Sequence, residues 1–188
     1  DNPESSDFSF FEGRYCIQCQ LDLALRAKHC DFCNVCISTF DHHCTWTDNC
    51  VGEKNKAIFV FYLLIQFVYL AYSLYIILGS FDKIENSSSL HSFIFKEIHL
   101  LFLCIINMLF IVFVWTLFKF QVSLIINNQT TWENYCWHKI PYYVKTTRSI
   151  KSPFDKGIVQ NLSYVFCKKS NSFIVWKSEV DLLSFKDK

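Results

Sequence analysis

The feature that most constrains this chain is a knot of cysteine and histidine near its start. It reads Cys16-x2-Cys19-x9-His29-Cys30-x2-Cys33-x2-Cys36-x4-Asp41-His42-His43-Cys44-x5-Cys50. Seven of the ten cysteines fall within these 35 residues, while Cys104, Cys136 and Cys167 are scattered. So dense a cluster means either a disulfide framework or metal. Three histidines interleave it, and imidazole has no place in a disulfide framework, so the pattern favours metal. Two residues between paired cysteines let both thiolates hold one tetrahedral ion from a tight turn. Two closed sites need eight donors; the cluster offers ten, which leaves two groups for other work. Residues 14–56 hold few long apolar runs and cannot build much of a core, so metal must hold them together.

Downstream the chain changes character. Residues Ala57–Phe81 form an uncharged run of 25, and Ile98–Phe118 a second of 21, interrupted only by the polar His99, Asn107 and Thr116. Each clears the roughly 18 residues a membrane helix needs. Apolar residues make up 52% of the chain, too many for 188 residues to bury around two such helices, so both runs are expected to span a membrane. Five Lys and Arg precede the first run, two lie between the runs in residues 82–97, and eleven follow the second. Basic residues favour the cytosolic side, which puts both ends in the cytosol and the short loop in the lumen. A cytosolic cluster stays reduced, again favouring metal. Asn86-Ser87-Ser88 in the loop fits a glycosylation acceptor, but so do Asn128-Gln129-Thr130 and Asn161-Leu162-Ser163 on the cytosolic side. A net charge of +1 gives no reason to expect nucleic acid. The expected organisation is therefore a linker over 1–13, a metal domain over 14–56, spans at 57–81 and 98–118 joined by a luminal loop at 82–97, and a mixed cytosolic region over 119–188. The chain shows no internal repeat or low-complexity tract. It opens at Asp1 with no signal peptide, and we expect it to be a piece of a longer protein.

The cluster resembles the cysteine-rich domain of DHHC protein S-acyltransferases. The likeness continues through Asn49-Cys50-Val51-Gly52, Asn55 and Phe59 into the first span. It returns as Thr130-Thr131-Trp132-Glu133, which is similar to the family's TTxE motif, and as Phe154-x2-Gly157-x3-Asn161-Leu162, within the Asn-containing segment 154–166. The resemblance implies a small zinc-stabilised cysteine-rich domain of short β-hairpins and loops, then two transmembrane α-helices and a mixed C-terminal cytosolic segment. The whole would be part of a four-helix membrane enzyme whose zinc domain lies between its second and third spans. It implies two structural zinc ions, one held by Cys16, Cys19, His29 and Cys36, the other by Cys30, Cys33, His43 and Cys50. His42 and Cys44 are then the pair left over, with Asp41 beside them. A thiol attacks well only as thiolate, and a histidine oriented by a carboxylate supplies that state.

The implied activity is protein-cysteine S-palmitoylation by a two-step, ping-pong route. Cys44 takes a long-chain acyl group from palmitoyl-CoA as a thioester, and a cysteine of a membrane-associated protein at the cytosolic face receives it, with His42 as general base. The implied location is multi-pass in the Golgi or endoplasmic reticulum membrane, or another endomembrane or the plasma membrane. By the same resemblance Thr131 and Glu133 brace the loop near Asp41, Asn161 ties the C-terminal segment to the membrane helices, and Trp46 lies against the acyl chain. Arg26 and Lys28, with Lys54 and Lys56, are placed to meet the coenzyme A phosphates. Tyr69 lies roughly 18 Å beyond Ala57 along a helix, about the length of an extended sixteen-carbon chain, and the family has an aromatic cap at the matching position. Two departures stand out: Thr45 follows the nucleophile where the family usually has proline, and Leu23-Ala24 replaces its usual Lys-Pro. A ubiquitin-ligase RING also binds two interleaved zincs, but its middle ligands are more widely spaced and it needs no spare His–Cys pair.

Overall fold

A computed structural model describes residues 15–81, 90–146 and 151–167. The linker 1–13, the Asn86 acceptor and the tail beyond residue 167 lie outside the described residues. Two compact units form: one from residues 1–57 and 124–188, the other from residues 58–123.

The first unit opens with three antiparallel hairpins among the described residues. They pair β1 (Tyr15–Cys16) with β2 (Leu21–Asp22), β3 (Lys28–Cys30) with β4 (Val35–Ile37), and β5 (His42–Cys44) with β6 (Asn49–Val51). No sheet larger than two strands exists among them. Two-stranded ribbons are marginal by themselves, which is why the cysteines must supply the core. Cys16, Cys19 and Cys36 pack as one buried cluster, and Cys30 and Cys50 pack with Phe40 as another.

These hairpins correct the expectation that the chain has no repeat. Each ligand of the second metal set stands 14 positions after its counterpart in the first. Registers repeat in step: Cys16 faces Leu21, Cys30 faces Val35, and Cys44 faces Asn49. So do the left-handed turn residues Gln20, Asn34 and Asp48, with φ of 54°, 53° and 47°. Only ligand and turn positions recur while the residues between them differ, so the sequence hides the period. In the third hairpin Cys44 holds the place of Cys16 and Cys30, but Thr47 stands where Cys19 and Cys33 stand.

Gly52 closes the third hairpin against the second. A Cβ there would lie 2.6 Å from Ile37 Cγ2 and 2.8 Å from the Ser38 carbonyl oxygen. Backbone cannot give way cheaply, so Gly52→Ala is expected to cost about 1–3 kcal/mol. Thermal unfolding and metal retention of the variant measure this.

The apolar runs are α1 (Lys56–Phe81) and α2 (Leu90–Ile126). Both are long and apolar enough to cross a membrane. Helix α2 overruns the expected 98–118 span at both ends, and residues 90–97 of the expected loop are helical. No Gly or Pro lies between Leu90 and Ile126 to break the hydrogen-bond ladder. In the second unit Leu63, Leu70 and Val114 form the contact, flanked by Phe59, Phe67, Ile111, Leu117 and Phe118. Asn107 Nδ2 donates to Ser73 Oγ at 3.1 Å, a polar tie between the two helices.

Helix α2 stops in a Schellman motif. Gln129 N–H bonds the Leu124 carbonyl at 2.8 Å and Asn128 N–H the Ile125 carbonyl at 3.0 Å. Asn128 takes the left-handed position at φ 46°. There follow α3 (Thr131–Cys136), a 3-10 turn (Trp137–Lys139), α4 (Pro141–Thr146) and α5 (Ile158–Phe166).

Candidate active site and metal centres

Strand alternation sorts the Asp41–Cys44 segment. Successive side chains on a strand point to opposite faces, so His43 on β5 is separated from His42 and Cys44. His43 lies directly across from Cys50, as His29 lies across from Cys36. The two sets that form are Cys16, Cys19, His29, Cys36 and Cys30, Cys33, His43, Cys50, each with its ligand atoms within 4.8 Å of one another. His29 Nδ1 is 3.5, 3.3 and 3.7 Å from the sulfurs of Cys16, Cys19 and Cys36. His43 Nδ1 is 3.7, 3.3 and 3.7 Å from those of Cys30, Cys33 and Cys50. A tetrahedral zinc, with Zn–S about 2.3 Å and Zn–N about 2.0 Å, sets sulfur and nitrogen roughly 3.5 Å apart. Both donor sets therefore suit such an ion.

Cys44 belongs to neither set. It shares a face of β5 with His42, and the two groups are close enough to influence each other's titration. His42 Nδ1–H donates to Asp41 Oδ2 at 2.7 Å, which leaves Nε2 for the thiol. Asp41 is fully buried. Its Oδ1 accepts from Lys56 Nζ at 2.7 Å and Thr131 N–H at 3.0 Å, and its Oδ2 from Thr131 Oγ1 at 2.6 Å. Burial raises the Asp41 carboxyl, but the Lys56 charge and bonds from His42, Lys56 and Thr131 outweigh it and hold it far below the usual carboxylate range. Burial pulls His42 down, yet the Asp41 bond and charge, with Cys44, leave it raised. The Cys44 thiol is pushed up by burial but ends lowered, through bonds from the Thr47 side chain and backbone, from His42, and from the Trp46 backbone. Carboxylate, imidazole and thiol thus stand in sequence on one short segment.

The Thr130–Glu133 segment has three separate tasks. Thr130 caps α3, accepting from Glu133 N–H at 3.1 Å while Glu133 Oε2 accepts from Thr130 N–H at 2.9 Å. Thr131 grips Asp41. Glu133 is fully buried, and its carboxylate accepts Arg26 Nε at 2.7 Å, Arg26 Nη2 at 2.8 Å and Tyr142 Oη at 3.0 Å. Thr131 therefore bonds the Asp41 carboxylate, whereas Glu133 reaches Arg26 and not the Asp41 loop. Arg26 also donates to Asn128 Oδ1 and the Asn128 carbonyl, and its guanidinium lies 4.4 Å from the Phe154 ring centroid.

A family model described as DHHC palmitoyltransferase matches residues 9–138. The chain belongs to that family. Palmitoyltransferase ZDHHC15A of Danio rerio is 30% identical over 174 residues, 92% of this chain and 51% of the relative. Putative ZDHHC-type palmitoyltransferase 7 of Dictyostelium discoideum is 33% identical over 177 residues, 92% of this chain and 40% of the relative. Palmitoyltransferase ZDHHC12 of Homo sapiens is 35% identical over 155 residues, 82% of this chain and 54% of the relative. The chain spans about half the length of the curated relatives it matches. Two apolar helices in a DHHC chain mark a membrane protein.

The basic residues need correction within this DHHC frame. Arg26 was expected at a phosphate, but it is 6% exposed and committed to Glu133 and Asn128. Lys56 was expected there too, and is buried against Asp41 and the Gln129 carbonyl. A desolvated cation needs a fixed counter-charge, and both find a carboxylate from another part of the chain. Lys28 lies over the Phe40 and Trp132 rings at 4.9 and 5.7 Å, and Lys54 is exposed. Trp46 and Tyr69 are exposed, at 72% and 64%. Asn161 is buried and binds the Ile126 carbonyl at 2.6 Å, satisfying an open carbonyl at the end of α2, and Asp155 Oδ1 at 2.7 Å. Sequence reasoning missed Asn128, whose sequon-like context concealed a helix stop that also anchors Arg26.

Proposed function

We propose that this chain is the catalytic core of a protein-cysteine S-acyltransferase that uses palmitoyl-CoA. The observation that carries the reading is Cys44: it stands outside both metal sets and beside the Asp41–His42 pair. The relatives' names, all palmitoyltransferases, support it.

In the first step the Cys44 thiolate attacks the thioester carbonyl carbon. A carbon–sulfur bond to Cys44 forms, the bond to coenzyme A breaks, and His42 Nε2 gives its proton to the departing thiolate. In the second step an acceptor cysteine's thiol passes its proton to His42 and attacks the Cys44 thioester, and Cys44 leaves as thiolate. Asp41 holds the imidazole with Nε2 directed at sulfur throughout. Two zinc ions in the Cys3His sets would neutralise thiolate charge and hold the hairpins folded. On this reading Trp46 lies along the acyl chain, Lys28 and Lys54 are the remaining candidates for phosphate, and Tyr69 marks the depth at which a palmitoyl tail ends. The hairpin unit faces the cytosol in a Golgi or endoplasmic reticulum membrane, where it meets cysteines of membrane-associated proteins.

The test is intact-protein and peptide mass spectrometry of the full-length protein after incubation with palmitoyl-CoA. A hydroxylamine-labile acyl group on Cys44 is expected. An unmodified Cys44, or an acyl group only on other cysteines, would refute the reading.

A further inference from the structure

Lys56 is the first residue of α1, and its side chain is 7% exposed. Burying an ammonium is costly unless it is paired and hydrogen bonded. Its Nζ meets that demand with two acceptors from distant parts of the chain: Asp41 Oδ1 and the Gln129 carbonyl, both at 2.7 Å. A charge kept at such cost, when a neutral side chain could fill the space, calls for a role beyond packing.

The partner identifies that role. The Asp41 carboxylate receives two donors on each oxygen: Lys56 and Thr131 N–H on Oδ1, His42 and Thr131 Oγ1 on Oδ2. Thr131 touches both oxygens with neutral donors, so it shares in holding the carboxylate plane but brings no counter-charge to it. Lys56 touches only Oδ1, and is itself fixed by the Gln129 carbonyl, next to Thr130 and Thr131. It therefore adds a fixed charged donor to the carboxylate oxygen turned away from His42, which holds the carboxylate in the plane and position from which its other oxygen meets the imidazole, and through His42 steadies where Nε2 points. We propose that Lys56 is a positioning residue of the acyl-transfer site, acting through the plane of the Asp41 carboxylate and not on the acyl donor. This rests on the S-acyl transfer reading above. It contrasts with the phosphate contact that a lysine beside the cluster suggests from sequence.

The two roles separate in kinetics. In the full-length protein, wild type, Lys56→Met, Lys56→Arg, Asp41→Asn and the Asp41→Asn/Lys56→Met pair are compared by three measurements. These are metal content, the rate of Cys44 alkylation by iodoacetamide followed by peptide mass, and single-turnover acylation across palmitoyl-CoA concentrations. Lys56→Met is expected to keep both metal ions and slow Cys44 alkylation. Its saturating acylation rate should fall by roughly ten- to a hundredfold, the scale of a misplaced catalytic group, with the half-saturating palmitoyl-CoA concentration unchanged. Lys56→Arg, a bulkier cation in the same slot, should fall between Lys56→Met and wild type. In the Asp41→Asn background Lys56→Met should add nothing, because its effect passes through that carboxylate. A raised half-saturating concentration with an unchanged saturating rate would overturn the proposal in favour of a phosphate contact. So would an equal loss in the Asp41→Asn background. If Lys56→Met loses metal, Lys56→Arg decides, and unaltered alkylation and acylation rates there overturn the proposal. If wild type itself forms no acyl-enzyme, the transferase reading fails, while the alkylation comparison still tests Lys56 alone.

Discussion

Serine at position 44 is expected to end acyl-enzyme formation while leaving both metal ions in place; serine at position 50 is expected to cost a metal ion. Both residues are buried cysteines of the same hairpin, and composition does not tell them apart. Their surroundings do. Cys50 Sγ lies 3.4 Å from Cys33 Sγ and 3.7 Å from His43 Nδ1, inside a four-donor set. Cys44 has no second sulfur three residues further on, because Thr47 stands there, and it lies beside His42. A serine hydroxyl is a far weaker nucleophile at neutral pH, so the acyl adduct in Cys44→Ser should fall by about four orders of magnitude or more. Removing a ligand from a structural site forfeits much of a binding energy on the order of 10 kcal/mol, more than most small domains have to spare. Elemental analysis and intact mass, run on the same samples, read both effects. Loss of metal from Cys44→Ser would mean the ligand sets are drawn wrongly, and an acyl adduct on that variant would move the nucleophile elsewhere.

How far the sequence speaks depends on how rare the informative residues are. Cysteine and histidine at fixed spacings carry their own geometry: a Cys-x2-Cys turn grips an ion whatever surrounds it, so metal binding can be read from spacing, whereas the division into two interleaved sets comes from the family resemblance. Uncharged runs of membrane length are equally self-contained. The basic residues differ, because a lysine or arginine is defined by the charge it meets. Arg26 and Glu133 are 107 positions apart, and nothing in either neighbourhood announces the other. Lys56, 15 positions from Asp41, sat where a phosphate contact also made sense. The expected 57–81 span agrees with α1 to within a residue, while α2 runs past its expected span for a related reason. Hydropathy marks where a helix is apolar, whereas its length is set by where hydrogen bonding stops: at the Asn128 turn at one end, and beyond Ile98 toward Leu90 at the other. The 14-residue period is written in the cysteine and histidine positions, Cys16, Cys30 and Cys44 among them, but escapes notice because the residues between them differ and its register and turn conformation show only in the fold.

Removing the Glu133 carboxylate is expected to have the largest effect on stability outside the metal ligands. Glu133 is wholly buried and Arg26 nearly so, and two short hydrogen bonds join them. In Glu133→Ala the guanidinium stays buried with no counter-charge, since its other bonds, to Asn128, are to neutral oxygens. Breaking such a pair from one side costs about 3–5 kcal/mol. The α3 capping box loses its acid as well, and Tyr142 Oη loses an acceptor. Glu133→Gln keeps a carbonyl oxygen in the site and should lose less. A double change, Arg26→Met with Glu133→Leu, should recover part of the stability by removing both charges, because the main penalty is the stranded cation and not the missing contact. Thermal unfolding of the detergent-solubilised full-length protein, with metal retention against a chelator, ranks the variants. If the double change is as unstable as Glu133→Ala, the burial argument fails and the loss must come from the α3 cap. The clamp joins the second hairpin's approach at Arg26 to the α2 stop at Asn128 and to α3, whose Thr131 holds Asp41. Stability and acyl transfer should therefore decline together in Glu133→Ala, whereas Cys44→Ser loses transfer alone.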